Sequence, residues 1–164
     1  MTPRAVFDCM VLLQGAGRPA GPAGACLRLV DDGQIALYLS SQILAEVRDV
    51  LTRPAVQRRF PALSPEWVAM FVRHLELKGT LLASVPHAAS LPRDPKDEPY
   101  LNLAIASGAK YLVTRDNDLL DLMSDTGFRS RYPDLLIVEP VAFLRELAAS
   151  IGAPDEPESP GPST

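Results

Sequence analysis

Five carboxylates stand out by their surroundings. Asp8 lies in "AVFDCMVLL", where the other eight of nine residues are apolar. Asp116 and Asp118 follow the apolar stretch "KYLVT" directly, in "RDND". Asp97 opens the helical pattern "DEPYLNLAIASG" that leads into that stretch, and Glu46 flanks the apolar stripe of "SSQILAEVRDVL". A carboxylate in apolar surroundings is costly unless it is neutralised, paired or bound to a metal. Clustered carboxylates repel one another unless protons or cations intervene. Hard divalent cations, Mg²⁺ or Mn²⁺, prefer such oxygen donors. A cation of this kind lowers the pKa of bound water and stabilises a phosphoryl transition state. Together these residues could therefore carry out metal-assisted hydrolysis of a phosphodiester.

The elements that must position them alternate between strand and helix. Residues 5–13 read as a strand with Asp8 at its centre, residues 14–24 as a Gly/Pro/Ala-rich loop, and 25–33 as a helix. A second strand spans 35–41. Ser41 precedes a helix over 42–53, with apolar residues at 43, 44, 47, 50 and 51 and Pro54 at its end. Ser64, Pro65 and Gly79 delimit another helix. Strands follow at 80–85, 110–114 and 134–140, a loop at 90–99, and a closing helix at 141–149. This order predicts a three-layer α/β/α sandwich around a central parallel sheet. In such sheets ligands sit beyond the carboxyl ends of the strands, near a reversal of strand order. Asp8, Glu46, Asp97 and Asp116 come from four separate segments that would meet at that edge. Each also has a plainer reading: Asp8 in a turn after a short strand, Asp97 or Asp116 as a helix cap, Glu46 on a solvated face.

The bulk composition is that of one globular domain. The chain has 164 residues, 47% hydrophobic and 22% charged, enough for a sizeable core. Residues 1–150 read as the domain. The stretch 151–164 holds Asp155, Glu156 and Glu158, no Lys or Arg, and many Pro, Gly and Ser, so it is expected to be disordered. It takes three of the net four negative charges and leaves the body nearly neutral. A nearly neutral body lacks the basic footprint of many nucleic-acid binders but does not exclude segregated charge. No apolar run is long enough to span a membrane. A carboxylate in the first apolar run does not suit a secretory signal, so a cytoplasmic location is expected. Cys9 and Cys26 have no metal or redox spacing and read as reduced core residues. The glycines at 15, 17, 21 and 24 form no phosphate loop, because no Gly-Lys-Ser/Thr follows. "DNDLLD" lacks the glycine and terminal glutamate of a calcium loop.

Taken together, the strand with Asp8, "SSQILAEV" with Glu46, "RDPKDEPYLNLAIASGAKYLVTRDNDLLDL" and "LLIVEPVAFL" resemble a PIN domain, of the bacterial group described as toxin components of toxin–antitoxin systems. The resemblance runs from residue 5 to about residue 147. It implies a Mg²⁺- or Mn²⁺-dependent ribonuclease in which Asp8, Glu46, Asp97 and Asp116 form the acidic quartet and Asp118 is an additional acid. It matches Thr114 to the hydroxyl residue of the family's Thr-x-Asp turn and Ser41 to a polar residue before the second helix. It further implies RNA as substrate, a homodimer, and a cognate antitoxin protein. Arg93 and Arg115 lie close enough to the motifs to bind substrate phosphates. One departure is Met10, where the family usually carries a small polar residue two positions after the first Asp. This residue favours a rival reading: a catalytically degenerate fold that binds RNA or protein.

Overall fold

The computed structural model describes residues 2–92 and 94–152. Arg93 and the acidic stretch from 153 onward, including the expectation of disorder there, lie outside the described residues. Five short strands, β1 (Arg4–Phe7), β2 (Ala36–Ser40), β3 (Thr80–Leu82), β4 (Tyr111–Val113) and β5 (Leu136–Val138), form one sheet in the order β3-β2-β1-β4-β5. Every neighbouring pair is parallel, in registers such as Ala5 with Leu37 and Phe7 with Val113. The expected three-layer α/β/α sandwich is therefore what the chain forms. The strand order reverses between β1 and β4. Right-handed crossovers then put the helices of the two halves on opposite faces.

The helices are α1 (Cys9–Gly17), α2 (Pro22–Asp31), α3 (Ser41–Leu51), α4 (Pro54–Arg59), α5 (Pro65–Lys78), α6 (Glu98–Ser107), α7 (Asn117–Leu120), α8 (Thr126–Arg131) and α9 (Pro140–Gly152), with 3₁₀ turns at Pro95–Asp97 and Asp121–Ser124. On one face α6 packs against β1, β2 and β4; on the other α1, α2 and α9 pack together. Phe143 of α9 meets Phe7 and Tyr111 edge-on, with ring centroids 5.8 and 5.0 Å apart. All three rings are fully buried.

Asp8 is not at the centre of a strand. β1 ends at Phe7, and Asp8 caps α1, its Oδ1 accepting the Val11 N–H at 2.9 Å. The apolar run continues because α1 is buried nearly all round, through Cys9, Val11, Leu12, Leu13 and Ala16. A short apolar run does not distinguish a buried strand from a buried helix. The stretch 14–24 is likewise no open loop: α1 runs to Gly17 and α2 starts at Pro22. Ser40, not Ser41, caps α3, its hydroxyl accepting the Ile43 N–H at 3.2 Å. Pro54 ends α3 by starting α4, where its missing N–H costs nothing. The expected helix at 64–79 forms with Ser64 as its cap. α6 stops at Gly108, whose φ of +65° is the left-handed conformation that favours glycine.

Candidate metal centre

The reversal between β1 and β4 puts the ends of these two strands side by side, and the residues that follow carry the acids. Asp8 follows β1 immediately and is 4% exposed. Thr114 follows β4 and is fully buried. Its hydroxyl donates to Asp8 Oδ2 and accepts the Asp116 N–H at 3.0 Å. One hydroxyl thus ties the two strand ends together. Asp116 then caps α7, its Oδ1 accepting N–H groups from Asp118 at 2.8 Å and Leu119 at 3.4 Å. Burial raises the Asp8 pKa, with a further push from the Asp116 charge, while the bonds from Thr114 and Val11 pull it back.

Opposite these strand ends, the 3₁₀ turn before α6 presents Asp94 and Asp97. Asp94 caps that turn by accepting the Lys96 N–H at 3.2 Å. One carboxylate oxygen each from Asp94, Asp97 and Asp116 lie within 4.8 Å of one another. Asp97 Oδ2 is buried without a hydrogen-bond partner. Burial, then the carboxyl and charge of Asp116, then Asp94, push the Asp97 pKa up to about 8. Three carboxylates this close together, one of them with a buried oxygen that has no partner, are a donor set that fits a hard divalent cation, which would offset their mutual repulsion.

These acids open into a cleft of about 450 Å³ lined also by Cys9, Met10, Gln14, Glu46, Tyr100 and the cations Arg53, Lys96 and Arg115. Glu46 stands on the α3 wall, where its Oε2 accepts the Tyr100 hydroxyl at 2.7 Å. Burial, then Glu46 and Asp8, push the Cys9 thiol up to about 12, so it is no thiolate nucleophile. Both cysteines are free and buried.

Asp8, Glu46, Asp97, Asp116 and Arg115 thus line one cleft, with Thr114 buried beneath. Asp118 lines a neighbouring depression with Asp121 and Asp125. Ser41 lines another, of about 430 Å³ at the ends of β2 and β3, with Ser40, His87, Glu98 and Asn102. Arg93 falls outside the described residues. By sequence Asp94 is only a minor candidate, a loop acid close to Asp97, and Tyr100 is not a candidate at all. Their spacings to Asp97, three residues before and three after, were the available signals. Met10 is 49% exposed in the cleft.

The sequence model of a family described as PIN domain matches residues 4–118, which include every acid of the cleft. Neither a curated protein nor a solved structure matches the chain significantly.

Proposed function

The chain belongs to the PIN-domain family, whose members are generally nucleases, and from that premise we propose that it is a Mg²⁺- or Mn²⁺-dependent ribonuclease. The observation that carries the reading is the Asp94–Asp97–Asp116 cluster, with its orphaned Asp97 oxygen at the carboxyl edge of the sheet. Asp97, Asp116 and Asp94 would hold the ion, with Asp8 and Glu46 within the same cleft. When bound, the ion supplies Lewis-acid stabilisation of the phosphoryl transition state and a more acidic water.

The chain's own residues do the rest. The Thr114 hydroxyl fixes the separation of Asp8 and Asp116. The Tyr100 hydroxyl holds the Glu46 carboxylate on the cleft wall, where it can accept a proton from an attacking water. Arg115 and Lys96 offset the negative field that would otherwise repel the substrate's phosphates. The biological role we propose is that of the toxin of a toxin–antitoxin pair. It would act in the cytoplasm as a homodimer restrained by a cognate antitoxin protein.

A second reading, a fold that binds RNA or protein without cutting, is favoured by Met10, which puts a thioether beside Asp8 where an amide or hydroxyl could orient a ligand. Incubating the protein with RNA, single-stranded DNA and a chromogenic phosphoester in Mn²⁺ distinguishes the readings. The ribonuclease reading expects RNA to be cut fastest and cleavage to vanish with chelator. Turnover of the phosphoester alone would make it a phosphatase. RNA binding without cleavage would favour the second reading.

A further inference from the structure

Among the described residues, the charge flanking the acid cleft is one-sided. On one flank, Asp118, Asp121 and Asp125 line a neighbouring depression of about 420 Å³, with no cation among its described lining residues. On the other, Gln14 and Arg115 are shared between the acid cleft and a notch of about 120 Å³ walled by Arg18, Gly21, Pro22 and Ala23. A polyanion leaving the cleft is repelled from the first flank and drawn over the second.

The notch is preformed by the turn between α1 and α2. Arg18 ends α1, its N–H donating to the Gln14 carbonyl at 2.8 Å, and the Gly21 N–H donates to the Arg18 carbonyl at 3.0 Å. Arg28 donates from Nη1 to the Pro19 carbonyl at 2.6 Å. Gly24 lets α2 close onto this turn, since a Cβ there would lie 2.0 Å from the Pro19 oxygen. The guanidinium of Arg18 lies 5.9 Å from the Phe60 ring centroid, and that of Arg59 lies 5.3 Å from the same ring. One aromatic side chain thus gathers two cations beside the notch. Among the described residues neither is ion-paired, whereas Arg53 in the cleft is already bonded to Asp49 at 2.8 Å.

We propose that the α1–α2 turn is a phosphate-binding notch for the single strand of RNA flanking the scissile bond, with Arg115 at its mouth and Arg18 and Arg59 beyond. The substrate then crosses the α1–α2 side of the molecule and avoids the Asp118–Asp121–Asp125 side. This assignment rests on the ribonuclease reading above and adds the direction of the strand.

The test is fluorescence anisotropy with a labelled single-stranded RNA in Ca²⁺, using the full chain, with cleavage in Mn²⁺ read in parallel. Arg18→Glu and Arg59→Glu should each weaken binding several-fold and reduce the dependence of log affinity on log salt by about 0.7 for each phosphate no longer neutralised. Arg18→Gln, which removes the positive charge without adding a negative one, should act in the same direction with a smaller effect. Arg145→Glu, exposed on α9 and lining none of these depressions, should leave both quantities unchanged. If wild type binds and cuts RNA and both reversals keep wild-type affinity and salt slope, the notch is overturned and the nuclease reading stands. If the reversals abolish binding to polyglutamate and leave RNA affinity intact, the notch belongs to an acidic protein segment and the assignment is wrong. If wild type neither binds nor cuts RNA, both fall.

Discussion

Replacing Thr114 by valine keeps the shape of a fully buried side chain and deletes one hydroxyl that serves two acids. The bond to Asp8 is charge-assisted and is worth about 1.5–3 kcal/mol; the bond from the Asp116 N–H is worth about 0.5–1.5 kcal/mol. Thr114→Val should therefore cost about 2–4 kcal/mol. In a domain of this size each kcal/mol moves Tm by about 2–4 °C, so metal-free Tm should fall by roughly 5–15 °C. Thr114→Ser keeps the hydroxyl and loses a buried methyl, a cost of about 1 kcal/mol. Urea or thermal unfolding by circular dichroism should rank wild type above Ser and Ser above Val. The gap between wild type and Val should also narrow at low pH. Thr114 favours the ionised Asp8, and that advantage disappears once Asp8 takes up a proton. A valine variant as stable as the serine variant would refute the role given to this hydroxyl.

Three further outcomes follow from the same geometry. The folded protein holds the Asp97 proton up to about pH 8, whereas the unfolded chain releases it near the ordinary value of 3.8. Metal-free stability should therefore fall as pH rises through that window, and Asp97→Asn should flatten the slope in a Tm-against-pH series. Tyr100→Phe removes the hydroxyl held by Glu46 and should cost about 1 kcal/mol in a urea titration; no loss would mean that this bond contributes nothing net. Gly24→Ala drives a methyl into the Pro19 carbonyl and should cost at least about 1–3 kcal/mol, read from the same titration.

Much of this architecture is legible in the sequence because it depends on local signals. Ser64, Pro65 and Gly79 mark α5 by capping chemistry, and Gly108 marks the end of α6. Asp116 declares itself because an apolar strand must end where a polar cap begins. The readings that fail are those that need tertiary context. The run around Asp8 is apolar because α1 is enclosed by its neighbours, so its composition matches a buried strand. The small helices α4, α7 and α8 have at most six residues each, too few to show a period. Asp94 joins Asp97 and Asp116 only through a 3₁₀ turn that no periodic pattern announces. The pairing of Tyr100 with Glu46 spans 54 positions of chain, and no spacing rule reaches that far.

The role proposed for the acids that face one another across the sheet edge is to hold a catalytic divalent ion. Wild type and Asp97→Asn can be compared for cleavage of a mixed RNA pool and for Tm, each with and without Mn²⁺. Wild type should cut only with the ion and should gain about 2.7 kcal/mol of stability at an ion concentration roughly a hundred times its Kd. Asp97→Asn should remain folded, lose cleavage, and lose most of that gain. Cleavage that survives in Asp97→Asn, or a wild type that Mn²⁺ neither activates nor stabilises, would contradict that role.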